Sequence, residues 1–461
     1  MDNLFFLSCF LPLALITYWL IPGIRSKNAV LLVFSLLFYS FGSISALALL
    51  VSAALLNYLL GLLLKYDQTK KVALTAGLVL NLAFLGFFKY ANFVLSGIFG
   101  LAPLQTGIAV PLGISFFTFK CISYLMDAYR DNRQISGSFW KLLLYISFFP
   151  QITMGPITRF CEFAPQLEGR DHSAGDVARG LRRFAAGLAK KMIIAGTVAT
   201  VADGVFALET VDIRLAWAGA IAYCLQLYFD FSGYIDMVVG LGMCFGFTTR
   251  ENFNYPYTAV SVGDFWRRWH MSLSSWFKDY LYIPLGGNRK GKLRAGINKS
   301  IVFLLCGLWH GAAWTFVLWG IWHGLFSMME SLNVIPARKL QSGKGRIIGH
   351  IYTLLVVCLG FVMFRAGSVA QGLQIIGAMF AGFRFTAAGT VELFRLLNAE
   401  TLLMMAAGIT LSCPVSKKLL ELPRLGKTAD TLSYIGALAL LMLCIVKMAA
   451  GDFAPSIYAQ F

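Results

Sequence analysis

The sequence predicts an all-α polytopic membrane protein, and three observations predict it. The 461 residues are 58% apolar and only 13% charged, far from the balance of ordinary soluble domains. The apolar residues come in repeated runs long enough to cross a hydrocarbon core of roughly 30 Å as helices. The 39 Lys and Arg outnumber 22 Asp and Glu and gather in short loops between those runs, as the positive-inside rule expects of cytoplasmic loops. A net charge of +17 would suggest nucleic acid in a soluble protein. Here it sets orientation, so the expected partner is the lipid bilayer and no nucleic acid is expected. The nine cysteines form no CxxC pair and sit mostly within apolar runs. They read as small apolar residues, with neither a disulfide nor a metal site expected.

The elements follow in order. Leu4–Ile21 is the first span, with only Met1-Asp2-Asn3 before it and the first basic residues, Arg25 and Lys27, behind it. That pattern predicts a retained span with its N-terminus outside. Ala29–Leu64 exceeds one crossing and has Gly42-Ser43 near its middle, which predicts a hairpin. Val72–Phe88 crosses again. Ala91–Leu125 is interrupted by Pro103, Pro111 and Gly113, and Trp140–Met154 runs into Phe148-Phe149-Pro150-Gln151. Both read as short or broken helices, tolerated where neighbours cover the freed backbone. The polar stretch Glu162–Arg183 reads as a loop with a short surface helix. Two or three spans fit between Phe184 and Phe247, and they carry Asp230 and Asp236 in apolar surroundings. Those carboxylates read as packing or helix-end elements ahead of catalysis.

Phe265–Tyr282 reads as one amphipathic, interfacial or re-entrant segment. At helical spacing Trp266, Trp269, Leu273 and Trp276 share one face, and Arg267, His270, Ser274 and Lys278 another. A basic loop, Asn288–Lys299, follows. Ser300–Leu332 then leaves and returns, with no charged residue before Glu330. Ile348–Phe364, Thr401–Leu411 and Leu432–Ala449 complete the spans, the first two joined by a moderately polar segment. Lys417, Lys418, Arg424 and Lys427 mark the inside and Gly451–Phe461 the outside. The whole reads as one integral-membrane domain: N-terminal spans over 1–110, a core over 111–335, and C-terminal spans with an extracytoplasmic tail over 336–461.

Asp264–Gly324 contains three of the five histidines, His270, His310 and His323. An ionisable side chain in apolar membrane sequence is costly and is by default a functional candidate. His310 sits within the charge-free run, in Leu308-Trp309-His310-Gly311. Its structural alternative is a histidine bonded to a facing helix. His172 and His350 lie in or beside loops and receive no function.

The motif Asp264-Phe265-Trp266-Arg267-Arg268-Trp269-His270, followed by Leu308-Trp309-His310-Gly311, resembles the membrane-bound O-acyltransferase superfamily. The likeness is to its bacterial branch, which serves O-acetylation of alginate, other polysaccharides and peptidoglycan. Pro111–Phe119, Phe148–Gln151 with Gly155-Pro156-Ile157, and Asn252–Tyr257 match as well. The resemblance implies about 11–14 transmembrane or re-entrant helices around a tunnel or funnel. It implies a catalytic role for His310, with His270 as a second polar residue of the site. It also implies acetyl-CoA as the donor substrate, with no cofactor held. The acceptor would be an extracytoplasmic SGNH-type O-acetyltransferase or similar protein that completes transfer to the glycan. The setting would be the bacterial inner membrane, with both termini extracytoplasmic. Tyr458 matches a C-terminal Tyr-x-x-Phe signature associated with an acyl carrier; its structural alternative is an interfacial anchor.

The chemistry is coherent with that resemblance. A thioester is already activated, so a site needs an acceptor proton removed and an oxyanion stabilised. An imidazole in an apolar setting stays neutral at pH 7 and serves as base or nucleophile. Trp309, Trp314, Trp319, His323 and Arg267 are expected to line the site or tunnel, with aromatic lining also drawn from Phe116–Phe119. Arg289, Lys290, Lys292 and Arg294 fix topology and have a second reading, attraction of the donor's phosphates. The rivals are D-alanyl transfer to teichoic acid from a carrier-protein thioester, and a transporter or flippase without chemistry. The latter expects inverted repeats, of which the sequence shows none. Lipid- or protein-acylating activity also falls within the superfamily.

Overall fold

A computed structural model describes residues 3–102, 110–171, 173–415 and 426–451. Among the described residues there is no strand, and helices follow one another. Five helices among the described residues are long and apolar enough to cross a membrane: Ile44–Leu63, Asp67–Ile98, Ala174–Phe206, Gly345–Arg365 and Asp430–Ala449. A sixth span results if Ala387–Leu396 and Ala399–Leu411, bent by 64°, count as one. The chain forms two compact units, one from Met1–Phe184 with Val238–Arg250, the other from Ala185–Met237 with Glu251–Phe461.

In the first unit the predicted hairpin is present as Ile24–Ser40 and Ile44–Leu63. Its turn holds because Ser43 caps the second helix, accepting from the Ala46 amide. Helix Ile44–Leu63 and helix Asp67–Asn92 are joined by a reciprocal amide pair, Asn57 and Asn81, at 2.8 and 3.2 Å. Such a pair satisfies polar groups that lipid cannot. Helix Ile114–Arg130, which carries Phe116–Phe119, is largely buried. It starts at Gly113 (φ +69°), where a Cβ would fall 2.1 Å from the Ile152 carbonyl oxygen. Only glycine fits that contact. Lys120 of this helix donates to the Tyr145 carbonyl (2.8 Å) near the end of Phe139–Ser147, where a cation complements the helix dipole.

Most of Glu162–Arg183 is helix, not loop. Phe160–Glu168 comes first, and Ala174–Ala189 is the start of a helical run that continues to Phe206. Ser173 and Asp176 cap that run reciprocally: Asp176 accepts from the Ser173 amide (2.9 Å) and Ser173 from the Asp176 amide (3.1 Å). Its polar residues are one face of a helix, and they read as a loop in sequence because they start before the apolar ones.

In the second unit Asp230 pairs with Lys191, and Asp236 with Lys190 at 2.6 Å. Both carboxylates stand in ion pairs, in keeping with the packing or helix-end reading. The segments close in where Gly187 faces Gly233; a Cβ on Gly187 would lie 2.5 Å from the Gly233 carbonyl oxygen. Ser300–Leu332 does leave and return, as helices Gly291–His310 and Trp314–Ser331. The first begins inside the predicted basic loop, so Lys292 and Arg294 lie on its opening turns. The segment expected to join two later spans is itself helical, as Val369–Ala381 and Ala387–Leu396. Tyr458, His172 and the tail beyond 451 lie outside the described residues.

Candidate active site

Phe265–Tyr282 is not one helix. Val262–Trp266 makes a single turn, the chain breaks through Arg267–His270, and Met271–Phe277 resumes before a π-helical end at Lys278–Tyr282. The first turn is capped twice. Ser261 accepts from the Asp264 amide (3.0 Å), and the Glu330 carboxylate accepts from the Val262 (2.7 Å) and Gly263 (2.9 Å) amides. The break has a clear cause in segment 252–254. The Asn254 amide donates to the Arg268 carbonyl (2.9 Å), and the Met271 amide to the Asn252 carbonyl (3.0 Å). The Asn252 side chain also accepts from the Ser272 amide (2.8 Å). These bonds compete with the helical ones and hold His270 at φ +43°, ψ +55°. That is a left-handed conformation rarely adopted by a residue other than glycine, and such strain concentrates at functional sites. The single amphipathic face expected from spacing is therefore replaced by a corner with His270 at its tip.

His310 is the last residue of helix Gly291–His310, and the chain turns at Gly311 into helix Trp314–Ser331. The two helices approach closely because neither has a side chain at the crossing. A Cβ on Gly307 would lie 2.3 Å from the Phe316 carbonyl oxygen, and one on Gly320 2.6 Å from that of Phe303. His310 is thereby fixed at the closed end of a tight hairpin. Its ring meets Trp309 (centroids 4.9 Å), Trp319 (5.2 Å) and Phe364 (5.1 Å).

The three histidines lie on one continuous path of rings. His270 stands edge-on to Phe231 (4.7 Å) and 6.3 Å from Trp309. Trp309 meets His310, His310 meets Trp319, and Trp319 meets His323 (5.0 Å). His270 is 2% exposed, His310 6% and His323 wholly buried. Aromatic walls therefore keep bulk water from three imidazoles, groups able to take up a proton or act as nucleophiles.

Of the residues expected to line the site, Trp309 and Trp319 meet the His310 ring, and His323 lies one ring further, against Trp319. Arg267 and Trp314 are exposed, Arg267 paired with Asp264 at 3.3 Å. Arg289, Lys290, Lys292 and Arg294 are all exposed. Several contributors escape sequence reading. Phe364 and Phe231 are two of 39 phenylalanines and carry no local signal. Glu330 did carry one, as the first acidic residue after the charge-free run. The amide of Asn252 stood in a quoted motif, but its role needs the fold.

Fold and site define a class, helical membrane proteins with buried histidines gathered at a broken corner and a hairpin tip. The sequence comparison makes the class particular: residues 31–369 match the membrane-bound O-acyltransferase family model. The chain belongs to that family and is an O-acyltransferase, a multi-pass membrane protein. It is 36% identical to the probable alginate O-acetylase of Azotobacter vinelandii over 498 aligned positions, covering 99% of both chains. It is 41% identical to the probable alginate O-acetylase of Pseudomonas aeruginosa, over 82% of this chain and 74% of that protein. It is 36% identical to the peptidoglycan O-acetyltransferase of Helicobacter pylori, over 81% of this chain and 78% of that one.

Proposed function

We propose that this protein takes an acetyl group from cytosolic acetyl-CoA and passes it across the bacterial inner membrane for O-acetylation of an extracytoplasmic polysaccharide or peptidoglycan. A partner of the SGNH type completes the transfer to the glycan, and both termini face away from the cytoplasm. The observation that carries the reading is His310, held at the hairpin tip among Trp309, Trp319 and Phe364. Relatives named for O-acetylation of a glycan support the choice of acetyl and of acceptor.

In the proposed step the neutral imidazole of His310 removes the proton of the acceptor hydroxyl as its oxygen attacks the thioester carbonyl. The tetrahedral intermediate collapses, the carbon–sulfur bond breaks, and the leaving thiolate takes the proton back from the imidazolium. The products are an acetyl ester and free coenzyme A. His270 donates a hydrogen bond to the oxyanion, a contribution worth about 2.7–4 kcal/mol where such donors have been removed. Arg289, Lys290, Lys292 and Arg294 attract the phosphates of the donor, and Tyr458 receives the acetyl group transiently.

Purified protein in nanodiscs, supplied with radiolabelled acetyl-CoA and its membrane partner, tests the assignment. His310→Ala should abolish coenzyme A release and protein-bound label, and His270→Ala should slow both by about 100-fold or more. Normal turnover by a folded His310→Ala protein would refute the role. A label absent from Tyr458 in trapped wild-type protein would remove the carrier. If D-alanyl carrier protein is used in place of acetyl-CoA, the acetyl reading fails.

A further inference from the structure

Trp266, Trp319 and His323 stand in mutual ring contact. Trp266 and Trp319 are 5.5 Å apart, Trp266 and His323 5.1 Å, Trp319 and His323 5.0 Å. Between them they carry four ring nitrogens shielded from solvent, both of His323 and the indole Nε1 of each tryptophan. Among the described residues none of the four has a hydrogen-bond partner. Each unpaired buried donor or acceptor costs about 1–3 kcal/mol, so four on one patch of core is a demanding arrangement. Phenylalanines would pack the same space without that cost. The neighbouring helix also accommodates the imidazole: a Cβ on Gly360 would lie 2.6 Å from His323 Nε2. The histidine is seated against bare backbone.

The donor and acceptor inventory is chemically specific. Indole N–H groups only donate, and a neutral imidazole has one donor and one acceptor. A secondary amide, whose carbonyl oxygen accepts through two lone pairs and whose N–H donates once, is met by two of the three donors and the one acceptor. The thioester donor proposed above has such amides in its phosphopantetheine arm, the nearer one separated from the sulfur by only two methylenes. The triad begins one ring away from His310, because Trp319 touches both His310 (5.2 Å) and His323 (5.0 Å).

We infer that Trp266, Trp319 and His323 form a binding subsite for a pantetheine amide of the acyl donor, holding the arm while the thioester lies at His310. The inference rests on the acyl-transfer reading of His310. Free coenzyme A and acyl carrier proteins bear the same arm, and the subsite recognises what the two share. An amide entering an apolar core needs partners for both its groups, and this triad supplies them.

The test compares thioesters within one protein. Full-length protein in nanodiscs, with its membrane partner, is given S-acetyl-N-acetylcysteamine, which keeps the nearer amide, and S-acetyl-pentanethiol, which replaces it with hydrocarbon. The readout is the ratio of their kcat/KM values, taken from thiol release that His310→Ala abolishes. A ratio is insensitive to how much of a variant is folded. Wild type should favour the amide, and Trp266→Phe and His323→Leu should each reduce that preference about five- to tenfold. Gly360→Ala, which pushes on His323 from behind, should reduce it as well. Acetyl-CoA and an acetylated carrier protein, run in parallel, identify the natural source of the arm by which one is turned over faster, and the variants should impair that one. A preference unchanged in all three variants, with His310-dependent turnover intact, overturns the subsite alone. If wild type turns over none of the thioesters, the acyl-transfer reading falls and the subsite with it.

Discussion

Replacing Glu330 by alanine should loosen the corner that carries His270. The Glu330 carboxylate receives the Val262 amide at 2.7 Å, the Gly263 amide at 2.9 Å and the Tyr352 hydroxyl at 3.3 Å. It therefore ties the end of the second hairpin helix to the start of the turn Val262–Trp266. Hydrogen bonds to a charged group contribute about 1.5–3 kcal/mol each. Glu330 is only partly buried, which favours the low end, so loss of the two amide bonds should cost about 3 kcal/mol. Glutamine keeps one acceptor oxygen and should cost about half as much. Equilibrium unfolding of nanodisc-extracted protein in graded denaturing detergent measures the stability, and acetyl transfer by the same samples at low temperature measures the effect on the site. The reasoning requires the order wild type, Glu330→Gln, Glu330→Ala in both. An alanine variant that unfolds at the wild-type midpoint, or a glutamine variant worse than alanine, refutes it.

Three further outcomes follow from the same geometry. Asn252→Ala removes the side-chain acceptor of the Ser272 amide and should lower unfolding stability by about 1–3 kcal/mol; an unchanged midpoint would show that the bond does not hold the corner. Lys191→Met removes the cation paired with the buried Asp230 and should cost about 3–5 kcal/mol, most of it recovered by adding Asp230→Leu; a double variant as unstable as the single one would contradict a packing role. Reversing Arg289, Lys290, Lys292 and Arg294 to glutamate should raise KM for acetyl-CoA at low salt, with the difference fading near about 1 M salt as screening shortens the field's reach. A KM that does not move leaves those residues with topology alone.

Much of the architecture was legible because lipid imposes simple rules. Apolar length and basic loops gave the hairpin at Gly42-Ser43 and a return somewhere within Ser300–Leu332, since a chain in hydrocarbon must satisfy its backbone internally. His310 stood out for the same reason, an ionisable group in a charge-free run. The corner at His270 was illegible from periodicity. Its local spacing fits a continuous helix, and the bonds that break that helix come from Asn252 and Asn254, distant in sequence. The ring path was half legible: Trp309 and Trp319 lie beside their histidines in sequence, whereas Phe364 and Phe231 arrive through tertiary packing. His323 reads as a lining residue, and its nitrogens, without a hydrogen-bond partner among the described residues, and its contact with Trp266 become visible only once the helices are placed.

The central claim is that acetyl groups cross the membrane through chemistry at His310. Inside-out membrane vesicles from cells carrying the full-length protein, its partner and its glycan expose the cytosolic face to added radiolabelled acetyl-CoA. The account predicts label on glycan sealed inside intact vesicles, and none when His310 is alanine. Label that enters the sealed glycan equally in the His310→Ala vesicles, or that appears only after the vesicles are broken, would contradict it.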